Sequence, residues 1–195
     1  MPIIISLFAI LSAYLLGSLS SALIVCRVLQ LPDPRTQGSG NPGATNVLRI
    51  GGKVPALLTL LGDSLKGVIA VLLARALGLS ALSTDYVILA VFLGHLFPLF
   101  FQFHGGKGVA TLLGALLALS PVAGIGWIII WGLIAGLSRY VSLASLIATL
   151  CSPILLWFTT QHLAHVITFA LLAILLLYRH RRNLQQLWLG TEHKL

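Results

Sequence analysis

Residues 108–138 read GVATLLGALLALSPVAGIGWIIIWGLIAGLS, a run without one formal charge. Wound as a single helix at 1.5 Å per residue it would reach about 46 Å, well past a hydrocarbon core of about 30 Å. Ser120-Pro121 is the natural division, because proline has no amide proton to continue the ladder. That division gives two spans, 108–120 and 121–138, the first of them short. Outward from them lie five more apolar segments near 2–26, 54–79, 86–103, 140–158 and 164–178. Asp63 and Lys66 interrupt the second of these. The sequence therefore predicts an all-α integral membrane protein, seven transmembrane helices in one domain over 1–195.

Composition agrees. Hydrophobic residues form 58% of the chain, charged residues 8%, and the mean hydropathy is +1.02. A soluble domain carries about a quarter charged residues. The formal charge of +8 is not massed on a soluble module, so no nucleic-acid partner is expected. In a membrane protein it reports topology and attraction to anionic lipids or phosphate ligands. Cys26 and Cys151 sit in apolar runs without metal-ligand spacing. No Lys or Arg precedes the first apolar run, so a cleavable signal peptide is not expected.

Seven spans sort the charges. One face receives Arg27, Arg35, Arg49, Lys53, Lys107, Arg139, Arg179, Arg181, Arg182 and Lys194, ten of the twelve Lys and Arg. Arg75 alone falls on the other face, and Lys66 lies within a span. Positive charge stays inside, which places the N-terminus in the periplasm and the C-terminus in the cytoplasm.

The polar clusters gather on that basic face. Gly38-Ser39-Gly40-Asn41-Pro42-Gly43-Ala44-Thr45-Asn46, closed by Arg49, combines glycines with short hydrogen-bonding side chains and a planar cation. Glycines let successive amides converge on one point, and guanidinium grips phosphate oxygens in pairs. A flexible connector is the plainer reading of a lone glycine-rich run, but further basic clusters follow. His104-Gly105-Gly106-Lys107-Gly108 is a tight turn with one lysine just before a span, a second phosphate cradle. It is no Walker A loop, since Gly108 follows Lys107. Ser142 and Ser145 stand one turn apart at the start of another span. If the last span continues as helix, His180 and Asn183 share a face at i, i+3. Arg181 and Arg182 read as topology markers. Asp63 and Lys66, three apart, read as a mutually neutralising pair, with Asp63 also orienting cytoplasmic residues from below, and His95 reads as a hydrogen-bonded interior histidine.

Absences narrow the chemistry. Asp33, Asp63, Asp85 and Glu192 are the four acidic residues, too few for an aspartate-rich magnesium site. No metal and no cofactor is expected. Neither a histidine–aspartate acyltransferase dyad nor a Gly-x-Ser-x-Gly elbow is present. Phosphate-binding groups with little acid–base machinery suit a substrate that is already activated. A transporter or exporter of a phosphorylated metabolite is the alternative, although alternating access calls for a site at mid-membrane.

The motifs at 38–49, at 62–67 (Gly-Asp-Ser-Leu-Lys-Gly), at 94–100 (Gly-His-Leu-Phe-Pro-Leu-Phe) and at 105–111 resemble those of the acyl-phosphate:glycerol-3-phosphate acyltransferases, the PlsY family. So does the His180…Asn183…Glu192 tail. The resemblance implies a seven-helix enzyme of the bacterial inner membrane with its site facing the cytoplasm. It implies acyl transfer from fatty acyl phosphate to glycerol 3-phosphate, giving lysophosphatidic acid and phosphate, with membrane lipids as surroundings. It also implies that Ser39 and Arg49 carry the first motif, that the 105–108 turn binds glycerol 3-phosphate, that His180 and Asn183 are catalytic, and that Glu192 is structural. His104 stands where that family usually has lysine, and Gln186 where arginine is common. Together these readings make Ser39, Arg49, Lys107, His180 and Asn183 the candidate catalytic set. Gly38, Gly40, Asn41, Thr45, Asn46, Gly105, Gly106, Gly108, Ser142 and Ser145 are the candidate substrate contacts.

Overall fold

A computed structural model describes residues 2–194, which form helices and connecting turns with no strand among the described residues. Chain contacts group into two compact units, Met1–Ala115 and Leu116–Leu195.

The first unit begins with α1 (Pro2–Gly17) and α2 (Ser21–Val28), which meet at 42°. A loop leads to the short helix α3 (Ala44–Gly51), followed by α4 (Lys53–Ala76) and α5 (Ala81–Leu96). Helix α4 is apolar on the wrong side for a soluble protein. Its buried positions include Thr59, Asp63, Lys66, Gly67 and Ala70, whereas Leu57, Leu61, Leu65 and Leu72 are exposed. Leucines turned outward and small or polar residues turned inward are the pattern of a helix whose solvent is lipid. Small residues also set the helix crossings. A Cβ on Gly17 would strike the Val91 carbonyl, and one on Gly94 would strike the Tyr14 carbonyl, so α1 and α5 touch backbone to backbone. Around that crossing the core is Ala9, Ala13, Ala70, Ala74, Val87, Ala90 and Val91.

The stretch expected as one span over 2–26 consists of two helices, broken at Ser18–Ser20. The break exposes backbone carbonyls at the end of α1, and the Lys66 ammonium answers them with hydrogen bonds to Gly17 O and Leu19 O, each 3.1 Å. A broken helix inside a membrane needs such a partner, since no water is there to supply one.

Helix α6 (Val109–Leu119) ends at the division read from sequence, and α7 (Pro121–Ser138) starts there. Ser120 caps α7 by accepting the Ala123 amide at 3.3 Å, with Pro121 in the first turn where its missing N–H costs nothing. In the second unit α7 packs on α8 (Val141–Thr160), α8 on α9 (Leu163–Arg179), and α10 (Arg181–Trp188) on both α8 and α9. The last span does not run on as straight helix, because α9 and α10 are bent by 61° at His180.

Among the described residues, four helices are long and apolar enough to cross a membrane: α4, α5 with its following turn, α7 and α8. The number is six if each bent pair counts as one span. Helix α6 is apolar but has 11 residues.

Candidate active site

The glycine-rich loop owes its shape to Asn46. Its Oδ1 accepts the Ser39 amide at 2.9 Å, while Nδ2 donates to Pro34 O at 2.8 Å and Gln37 O at 3.0 Å. Both amide hydrogens are spent and the side chain is 2% exposed. Asn46 is thus a brace for the loop, where the sequence suggested a substrate contact. Gly38 is required beside it, since its φ is +59° and a Cβ would run into Asn46 Oδ1.

Helix α3 opens on Gly43, which has no side chain to cap the first amides. An uncapped helix start offers N–H groups and the positive end of the dipole to an anion. Thr45 lies in this first turn, and Arg49 follows four residues later on the same face. The loop's other arginine is already engaged. Arg35 donates from Nε and its terminal nitrogen to Asp33, the shortest contact being 2.6 Å. Those hydrogen bonds hold the Asp33 carboxyl below its ordinary range and raise the guanidinium. Arg49 is exposed and has no ion-pair partner among the described residues. Of the two loop cations, Arg49 is the one whose charge is uncompensated.

The turn at 105–108 lies against the end of α5. Gly106 donates its amide to His95 O at 3.2 Å. Added Cβ atoms would meet the His95 and Leu96 carbonyls at Gly105, and the Phe92 ring at Gly108, where φ is +91°. Lys107 rides this turn, half-buried. His104 donates from Nδ1 to Gln102 O at 2.7 Å and points to solvent.

In the second unit, the Glu192 carboxylate is the hub. Its Oε1 accepts Ser142 Oγ at 2.7 Å and Asn183 Nδ2 at 2.8 Å, and Oε2 lies 3.1 Å from Asn183 Nδ2. The tail that carries it is fastened by backbone. Thr191 and Glu192 donate their amides to Gln186 O at 2.8 and 3.2 Å. These two bonds use the backbone of Gln186 and not its side chain. Ser145 is occupied elsewhere: its hydroxyl donates to Val141 O at 2.8 Å and accepts Trp131 Nε1 at 3.1 Å. It ties α7 to α8, a structural task that the sequence did not disclose.

His180, 2% exposed at the bend, has Nδ1 2.9 Å from Leu176 O. A carbonyl only accepts, so Nδ1 carries a proton and donates it to Leu176 O. The partner at Nδ1 is a peptide oxygen, not a carboxylate. No group of three or more His, Cys, Asp or Glu side chains with metal-site geometry occurs among the described residues.

The family model for glycerol-3-phosphate acyltransferase matches residues 7–190. A glycerol-3-phosphate acyltransferase of Ruthia magnifica is 48% identical over 195 residues, covering 100% of this chain and 99% of that protein. One from Thioalkalivibrio sulfidiphilus is 50% identical over 186 residues, covering 95% and 92%. The fold is similar to crystal structures of PlsY, an integral membrane glycerol 3-phosphate acyltransferase. Its glycerol 3-phosphate form superposes with a TM-score of 0.93 at 39% identity, covering 97% of this chain and 95% of that one. Its lysophosphatidic acid form gives 0.90.

Proposed function

The chain belongs to the glycerol-3-phosphate acyltransferase family, and on that premise we propose that it acylates glycerol 3-phosphate with a fatty acyl phosphate as donor. The products are 1-acyl-glycerol 3-phosphate and inorganic phosphate, the first acylation of phospholipid synthesis. The observation that carries the choice of donor is His180, whose Nδ1 is bound to a peptide carbonyl. That bond fixes the tautomer and orientation of the ring. An acyl phosphate needs no more, because it is a mixed anhydride whose leaving group departs as phosphate.

The glycerol hydroxyl oxygen attacks the acyl carbon, and the bond from that carbon to the phosphate oxygen breaks. The electron pair leaves with phosphate, and the hydroxyl proton passes to His180 Nε2 or to a phosphate oxygen. Arg49 and Lys107 hold phosphate charge, with Ser39, Thr45 and the first amides of α3 adding donors. Asn183 and Ser142, set by Glu192, orient the donor's head. Catalysis is then positioning and electrostatic stabilisation. With purified protein, acyl phosphate is expected to support turnover in the presence of excess chelator. A strict divalent-metal requirement, or turnover from thioester donors alone, would overturn this reading.

The membrane arrangement belongs to the same proposal: one domain of seven spans in the bacterial inner membrane, with the reaction on the cytoplasmic side. The bent pairs α1–α2 and α9–α10, the four long helices and the short α6 make up the seven. Six spans would return the C-terminus to the side of the N-terminus, whereas seven place the termini on opposite sides. Single cysteines in a background lacking Cys26 and Cys151 distinguish these cases. An impermeant thiol reagent on intact cells should label positions 159–163 and spare 38–53, 104–108 and 179–194. The reverse pattern contradicts the topology.

A further inference from the structure

We propose that the buried Asp63–Lys66–His95 chain is a positioning device for the 105–108 turn, with His95 as the residue that sets the turn against the glycine-rich loop. The inference rests on the phosphate role given above to that turn.

Lys66 is 3% exposed and has three hydrogens to place. Three acceptors surround it: Gly17 O and Leu19 O at 3.1 Å, and His95 Nδ1 at 2.7 Å. Asp63 Oδ1, 3.0 Å from Nζ, balances the charge. An ammonium only donates, so His95 Nδ1 accepts and its ring proton is at Nε2. The tautomer of His95 is therefore opposite to that of His180.

The Nε2 side faces the turn. A Cβ added to Gly106 would fall on His95 Nε2, and the Pro42 carbonyl lies 3.0 Å from the same point. The His95 backbone completes the grip by accepting the Gly106 amide. One residue thus meets the turn with its ring and its carbonyl, where Pro42 of the glycine-rich loop also arrives. Through Lys66 that residue is tied to the α1–α2 break. Glycine at 106 is the only residue that lets the ring come so near. Burying an ammonium, a carboxylate and an imidazole among membrane helices is costly, and fixing the turn that bears Lys107 gives the cluster a task besides closing a helix break.

His95→Asn keeps a polar atom near Nδ1 for Lys66 but leaves nothing at the Nε2 position. Amide exchange at Gly106 and Lys107 should rise about tenfold or more as the turn loosens. The KM for glycerol 3-phosphate should rise about tenfold while kcat changes by less than about threefold. Combined with Lys107→Ala, the losses should be far from additive, because both variants remove the same placed cation. Gly106→Ala drives a methyl into Nε2 from the other side and should reproduce the exchange result even where His95→Asn fails to fold. Unchanged exchange in the folded variants, or additive losses with Lys107→Ala, would overturn the proposal. Faster exchange with normal glycerol-3-phosphate KM in both His95→Asn and Lys107→Ala would leave the positioning role standing and remove the turn from substrate binding.

Discussion

Arg49→Ala should cut acyltransferase activity by two to three orders of magnitude, about 2.7–4 kcal/mol, the scale of removing one donor that stabilises the transition state. Arg49→Lys should recover little of it. Lysine restores the charge but not the planar fork that grips two phosphate oxygens. Its position at the last turn of α3 also lets Arg49 favour the helix dipole, which is a structural benefit of roughly 0.3–1 kcal/mol. Lysine would supply that benefit equally. The Lys variant therefore separates the two roles, since a helix-stabilising cation survives the exchange and a phosphate clamp does not. Arg182→Ala is the control: Arg182 is exposed on α10 and reads as a topology charge, so its loss should be close to neutral. Near-normal turnover and glycerol-3-phosphate affinity in a folded Arg49→Ala protein would reduce the loop to a connector.

Glu192→Ala should be the next most damaging single change. The carboxylate holds Asn183 through both oxygens and Ser142 through one. Hydrogen bonds to a charged group contribute about 1.5–3 kcal/mol each, and truncation leaves the donors with nothing to meet. We expect kcat to fall on the order of a hundredfold, chiefly through a misplaced Asn183. Glu192→Gln retains one carbonyl oxygen but presents an NH2 group to a donor, so it should recover only part of the loss. Ser142→Ala removes one of these bonds and should cost about 1.5 kcal/mol, or roughly tenfold. Steady-state kinetics of the three variants, with thermal unfolding as the check on folding, orders them. Full kcat in Glu192→Ala would mean that the hub holds only the tail.

What the sequence disclosed, and what it did not, follows the range of the interactions. The division at Ser120-Pro121 was legible because its cause is local: a serine cap and a proline without an amide proton. The break at Ser18–Ser20 was not, because what stabilises it is Lys66, dozens of residues further on. The bend at His180 was hidden for a related reason. Neither glycine nor proline marks it, and the helical pattern passes straight through.

The candidate site divides in the same way. Arg49 stood out as the cation closing the loop, and the structure adds that Arg35 is neutralised by Asp33. Asn46 and Ser145 look, as letters, like Asn41 and Ser142; only their partners reveal a loop brace and a helix tie. Asp63, Lys66 and His95 were readable as a charge pair and an interior histidine. That His95 lies against Gly106 depends on how the chain after α5 turns back onto its end.

The most direct test of acyl transfer from acyl phosphate uses a donor labelled with heavy oxygen at the bridge between the acyl carbon and phosphorus. Attack at the acyl carbon sends the bridging oxygen out with phosphate. Mass spectrometry should therefore find the label in inorganic phosphate, one phosphate for each 1-acyl-glycerol 3-phosphate formed, and none in the lipid. Label retained on the fatty acyl carboxyl, or lipid product formed without release of labelled phosphate, would contradict it.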